Sequence, residues 1–210
     1  MRPIYLLASL VLLIFVASSC KKDKTPDPFG LTAGKLSMKA DGTPREAETA
    51  FVFTAHEEET DHYIIALTGM FTPQGAGSTD DVVDAFYIYM SFTAAQFNNP
   101  KGTYDIIALD SDPEGRPLVY ATYQVGLGSD AARIYGIAEA NKSIGKLTIT
   151  GFEIGNQTGI PGLSGRGYTK LQGTFQMTLS ELKMDGSGFS GEFAITEGKF
   201  DVKDQFAFGF

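Results

Sequence analysis

Lys170-Leu-Gln-Gly-Thr-Phe-Gln-Met-Thr178 and Phe193-Ala-Ile-Thr-Glu-Gly-Lys-Phe-Asp201, separated by a turn signal at Asp185-Gly186, decide the fold of this chain. In each run apolar and polar residues alternate, the two-residue period of a strand with one face buried and the other wet. Two such runs joined by a Gly-rich turn read as an antiparallel hairpin. The same period extends outward along the chain. It appears in Leu36–Ala40, Phe51–Ala55, Tyr63–Thr68, Ala85–Phe92, Thr103–Ile107, Val119–Val125 and Lys146–Thr150.

Turn signals stand between the runs, at Ala40-Asp-Gly-Thr43, Asn98-Asn-Pro-Lys-Gly102, Asp112-Pro-Glu-Gly115 and Met184-Asp-Gly-Ser-Gly188. Nothing in the mature chain sustains a 3.6-residue period, although Ser91–Phe97 and Ser129–Arg133 each have room for one helical turn. The 24 glycines, 16 phenylalanines and 9 tyrosines, with no tryptophan, fit many short strands and tight turns. The reading is an all-β domain of about nine to eleven strands, mostly antiparallel because the connections are short. Such a sheet must close or double up to hide its edges, so an antiparallel β-barrel or β-sandwich follows.

The "GTF" of Gly173-Thr-Phe175 and the "ITEGKFDV" of Ile195–Val202 also resemble an uncharacterised family of lipid-anchored bacterial all-β domains. Two further motifs carry the resemblance, Met38-Lys-Ala-Asp-Gly42 near the start and Gly102-Thr-Tyr104 in the middle. The chain departs from the family pattern at Thr43-Pro-Arg-Glu-Ala47, where an aromatic residue usually follows the first Asp-Gly. What the resemblance implies is a fold and an anchor, with no chemistry attached.

The N-terminus supplies that anchor. Met1-Arg2-Pro3 is a short positive start, and Ile4–Val16 is an apolar run of about 13 residues. That is a signal-peptide core and is too short to span about 30 Å of hydrocarbon. Ala17-Ser18-Ser19 then leads into Cys20, the chain's single cysteine. The stretch resembles the lipobox of exported lipoproteins, with Ala17 where a leucine is usual. The resemblance implies acylation of Cys20, cleavage before it, and a three-chain anchor far stronger than a single acyl chain gives. One cysteine cannot form an internal disulfide, so the core must carry stability. Lys21, Lys22, Asp23, Lys24 and the prolines at 26 and 28 make a solvated linker. The expected organisation is therefore 1–19 signal peptide, 20–34 lipidated cysteine and linker, and 35–210 one β-domain. Lys21 stands where an inner-membrane retention signal carries Asp, which implies the outer membrane, on either its periplasmic or its outer face.

Removing the leader lowers Lys+Arg from 17 to 16 against 25 Asp+Glu. That excess of acid argues against nucleic acid as a partner and against docking on anionic headgroups.

Few residues suggest chemistry. His56 and His62 flank four carboxylates in His56-Glu-Glu-Glu-Thr-Asp-His62, a metal clamp if the segment folds back, but structural zinc prefers four His or Cys ligands. An acidic turn between two strands explains the segment more simply. Asp110-Ser-Asp-Pro-Glu-Gly115 opens like a calcium loop but has Ala121 where the bidentate glutamate belongs. Thr79-Asp-Asp81 and Asp84 read as a solvated acidic loop. Gly186-Ser-Gly-Phe-Ser-Gly191 matches a phosphate-loop string, yet no helix follows it, so it reads as a hairpin turn. Gly155–Gly167 reads as a long loop of the kind that carries binding. Gln205-Phe-Ala-Phe-Gly-Phe210 reads as a closing strand; the alternative is the end of a membrane barrel, which needs longer alternating strands. Catalysis lacks a nucleophile once Cys20 is acylated, no Ser-His-Asp set is apparent, and no carboxylate pair is singled out.

These features point to a non-enzymatic, outer-membrane-anchored lipoprotein whose β-domain binds a small apolar or glycan ligand. Phe86, Tyr87, Tyr89 and Phe92 are candidates to line an interior, and alternation requires half of them to face out. The alternative is a structural or partner-binding accessory of an envelope complex with no small ligand. No cofactor is implied.

Overall fold

A computed structural model describes residues 34–72, 82–107, 117–136, 143–157, 165–183 and 188–203. The leader, Cys20 and most of the linker, Thr79–Asp81, Asp110–Gly115, 158–164, Met184–Ser187 and Gln205–Phe210 lie outside these residues.

The chain is all-β. Its strands are β1 (Lys35–Ala40), β2 (Thr43–Glu46), β3 (Thr49–Glu57), β4 (His62–Phe71), β5 (Val83–Thr93), β6 (Gly102–Ile106), β7 (Leu118–Leu127), β8 (Arg133–Gly136), β9 (Gly145–Gln157), β10 (Gly165–Leu182) and β11 (Phe189–Lys203). One helical turn, α1 (Ala94–Asn98), follows β5. The strands pair antiparallel, in the order β2-β1-β11-β10-β8-β7-β5-β4-β3, with β9 and β6 continuing from β10. The sheet curls into a half-barrel, and the curl brings β3 back against β10, β11 and β1. At that seam the Gly34 amide donates to the Ala50 carbonyl at 3.1 Å, and the Tyr168 amide donates to Thr54 Oγ1 at 3.2 Å. The expected barrel or sandwich is thus a curled sheet folded onto its own edge.

The first hairpin follows from Asp41-Gly42, whose φ values of 47° and 78° are both left-handed, as a two-residue turn requires. Thr93 caps α1: its hydroxyl accepts from the Gln96 amide, and the Gln96 side chain accepts from the Thr93 amide. Ser129–Arg133, expected to have room for a helical turn, forms hydrogen-bonded turns instead, with Ser129 N donating to Gly126 O and Ala132 N to Ser129 O. The Gly155–Gly167 loop is also shorter than expected. Gly155 pairs with Gly167, Asn156 with Arg166 and Gln157 with Gly165, so both flanks are strand.

The opening motifs interlock across β10 and β11. Gly173 lies opposite Phe200, and Phe175 lies opposite Gly198, so each triplet gives the other a ring and a gap. A Cβ on Gly198 would stand 2.4 Å from two ring carbons of Phe175, and one on Gly173 would stand 2.6 Å from Cζ of Phe200. Both rings are buried in the core, while Thr174 and Lys199 between them point to solvent. Gly198→Ala is therefore expected to cost about 1–3 kcal/mol by overpacking. Urea unfolding would show this as a lower midpoint at unchanged slope. Lys199→Ala, one step along on the wet face, should stay within about 0.5 kcal/mol.

Candidate interaction surface

Among the described residues the interior is lined by apolar side chains packed on one another. Leu36, Val52, Leu67, Phe86, Ile88, Met90, Phe92, Val119, Leu147, Leu171, Phe175 and Phe200 belong to one continuous cluster drawn from nearly every strand. Of the four aromatic residues expected around an interior, Phe86 and Phe92 face in and belong to this cluster; Tyr87 and Tyr89 belong to the opposite face of β5.

Among the described residues, buried side chains stand at both ends. β5 carries Asp84 near its first end and leads into α1 at the other. At the α1 end the Phe97 ring stacks on Tyr63 at 3.9 Å between centroids and lies 4.8 Å from Tyr168. The Tyr168 hydroxyl donates to the Phe97 carbonyl at 2.7 Å, and Arg166 lies over the Phe97 ring. Burial pushes the Tyr168 phenol far above the ordinary phenol range.

At the other end an ion pair replaces the rings. Asp84 is fully buried, and Arg45 from β2 donates to it through Nη2 at 2.9 Å and to the Thr72 carbonyl at 2.6 Å. The Gly126 amide donates to Asp84 Oδ1 at 2.7 Å, and the Tyr123 hydroxyl donates to Oδ2 at 3.3 Å. Arg45 also lies 5.3 Å from the centre of the Phe71 ring. Burial raises the Tyr123 phenol well above its usual range, and the Asp84 charge raises it further. The expectation that Asp84 belongs to a solvated acidic loop is therefore corrected. It is the second residue of β5, a strand whose even-numbered residues face inward, and a cation from another strand meets it there. The sequence offered one clue, an arginine in Thr43-Pro-Arg-Glu-Ala where an aromatic was usual. Nothing local to Arg45 showed that its partner lay beyond β4.

The outer surface divides into two walls. On one side a single row crosses six strands, Thr103–Thr148–Thr174–Lys199–Ser37–Glu46. Around it lie the ion pairs Lys146–Asp105 and Lys39–Glu197. Lys146, Thr148, Thr174, Gln176, Glu197 and Lys199 edge an open cleft of about 550 Å³. Among the described residues the one ring beneath it, Phe175, is turned into the core, so none of them offers this cleft an aromatic platform.

The other wall covers β3, β4, β5 and β7 and carries no charge in its central rows. Those rows are Phe53–Ala66–Tyr89–Tyr120, Phe51–Thr68–Tyr87–Thr122 and Thr49–Met70–Ala85–Gln124. Tyr89 stacks on Tyr120 at 4.7 Å between centroids and on Tyr87 at 6.0 Å. Burial pushes the Tyr87 and Tyr89 phenols up, with Tyr120 and Tyr87 adding to the effect at Tyr89.

The histidine turn cannot gather its two imidazoles on one ion. His56 is paired with Tyr63 and His62 with Glu57, so successive positions place the histidines on opposite faces of the hairpin. His56 Nε2 instead lies 3.0 Å from Asp61 Oδ1, and its ring packs 4.6 Å from Tyr63. His62 Nδ1 meets the Thr60 carbonyl at 2.8 Å. No group of three or more His, Cys, Asp or Glu among the described residues has metal-binding geometry. Among the same residues no helix is long and apolar enough to cross a membrane. No family model, curated protein or solved structure matches this chain.

Proposed function

We propose that this chain is a non-enzymatic lipoprotein, tethered to the outer membrane through Cys20, whose β-domain acts through its outer surface as a partner-binding accessory of the envelope. The observation that supports this reading is the continuous apolar cluster formed by the described interior side chains, with Phe97 and Tyr168 buried at one end and the Arg45–Asp84 pair at the other. A carrier of apolar molecules needs a lumen lined by the rings that here pack against one another. The leader, the lipobox-like stretch and the linker support the tether, as does the likeness to lipid-anchored β-domains. The net acidic charge keeps such a domain off an anionic bilayer surface.

A glycan is the second reading, and the polar cleft on β9, β10 and β11 favours it through its hydroxyl, amide and lysine donors.

Two measurements test the main reading. Cys20→Ser should move the protein out of the membrane fraction altogether, since no other anchor is proposed; retention there would sink the tether. Native mass spectrometry of the processed full chain in mild detergent should give polypeptide plus acyl groups and nothing more. A stoichiometric apolar passenger would return the weight to a carrier.

A further inference from the structure

The wall crossed by the Thr103–Glu46 row differs in charge from the rest of the domain. It carries Lys35, Lys39, Lys146, Lys170, Lys199 and Lys203, against Glu46, Asp105, Glu153, Glu197 and Asp201. Elsewhere among the described residues acid dominates, as in Glu57-Glu-Glu59 and Asp61. Lys39, Lys146 and Lys170 are met by Glu197, Asp105 and Glu153. Lys35, Lys199 and Lys203 form no ion pair among the described residues. Lys203 also stands directly opposite Lys170, a like-charge pairing that costs stability, and Glu153 offsets it only from 3.8 Å.

The cleft in this wall holds strained backbone as well. Between the Phe175–Gly198 and Met177–Ile195 pairs, Gln176 on β10 faces both Thr196 and Glu197 on β11, a bulge. Glu197 has a φ of 52°, the left-handed region that glycine enters without steric cost and glutamate does not. Its side chain is 64 % exposed, so its ion pair with Lys39 returns little stability. The carboxylate edges the cleft together with Lys199, and strain of this kind collects where a side chain has work to do.

We propose that the cleft binds an acidic glycan, a sugar chain with carboxylates among its hydroxyls, laid along β10 and β11. The proposal rests on the glycan reading above and names its chemical class. Lys199, the cleft's cation without an ion pair, receives one carboxylate. Glu197 accepts hydrogen bonds from sugar hydroxyls, and Thr174 and Gln176 donate to them. Lys203 follows four residues along the same face of β11, about 13 Å away, and with Lys170 receives a further carboxylate. Asp201 stands between them, and Lys35 lies opposite it on β1 to offset its repulsion. A neutral sugar has only hydroxyl bonds that exchange for water, and no ring here to stack on. Charge-assisted bonds to lysine supply the affinity that the missing aromatic platform does not.

The test titrates the processed full chain, in mild detergent, with oligomers of galacturonate, glucuronate and mannuronate and with the uncharged methyl ester of each. At least one acidic series should bind about tenfold tighter than its ester, and added salt should weaken it. Polyglutamate, which has the charge without the hydroxyls, should bind no better than the esters. Lys199→Gln should weaken binding of the acidic oligomer about tenfold and leave its ester unchanged, whereas Lys183→Gln, off this wall, should change neither. Glu197→Gly should weaken both while leaving the urea midpoint unchanged or higher. Equal affinity for acid and ester would overturn the acidic class and leave the glycan reading standing. Binding of none of these sugars would overturn both. Tight binding of polyglutamate would make the wall a plain anion patch and overturn the proposal. A lower midpoint for Glu197→Gly would make that glutamate structural and overturn its role in the cleft.

Discussion

Asp84→Ala is expected to destabilise the domain by about 3–5 kcal/mol, the cost of leaving a buried guanidinium without its counter-charge. The Arg45 side chain is only 8 % exposed, the same Nη2 is held by the Thr72 carbonyl, and the head lies over Phe71. The Gly126 amide and the Tyr123 hydroxyl lose their acceptor in the same step. Arg45→Met alone should cost a similar amount by stranding the carboxylate. Arg45→Met combined with Asp84→Leu should cost distinctly less than either single change, because no charge is then left buried. Urea unfolding of the three variants checks this. A double variant as unstable as the sum of the singles would show that shape, and not charge, is what the site supplies.

The domain is also expected to lose stability above about pH 10. The Tyr123 and Tyr168 phenols are buried, and their raised values mean that the folded state holds those protons where an unfolded chain releases them. The stability they confer is complete below the ordinary phenol value of about 10 and falls as pH rises through their folded values. Between the unfolded and folded values each approaches a slope of about 1.4 kcal/mol per pH unit, so the pair removes roughly 2 kcal/mol between pH 10 and 11. Equilibrium unfolding at a series of pH values measures it directly. A stability that stays flat to pH 11 would contradict the burial of both rings.

Much of the fold was legible because strand alternation is a local signal. Nine of the eleven strands coincide with runs of alternating residues, and the interlocked Gly173–Phe200 and Gly198–Phe175 pairs lie in the two motifs that read most clearly. The other two strands were not legible. β2 contains Pro44 and only four residues, and β8 is four residues of mixed character, so neither shows a period of its own. Both are strands only because a neighbour pairs them. The site was less legible still. Alternation predicted that half of Phe86, Tyr87, Tyr89 and Phe92 would face out, but it could not say which, since a slip of one residue reverses every side chain. Asp84 misled for a related reason. A carboxylate beside Asp80 and Asp81 looks solvated until the arginine that meets it, from a different strand, is known.

The pairing of β1 with β11 has a consequence for how the molecule is made. Leu36 lies opposite Phe200, so the first strand synthesised waits for the last. β10 is bonded to β9, β8 and β11, which leaves a nascent chain lacking residues 165–203 without its central strand. Contacts this distant in sequence form late and slowly. A chain delivered N-terminus first across a membrane would therefore stay unfolded, and open to chaperones and proteases, until its final hairpin emerged. Deletion of residues 165–203 should consequently abolish folding outright, whereas deletion of linker residues 21–33 should leave it intact.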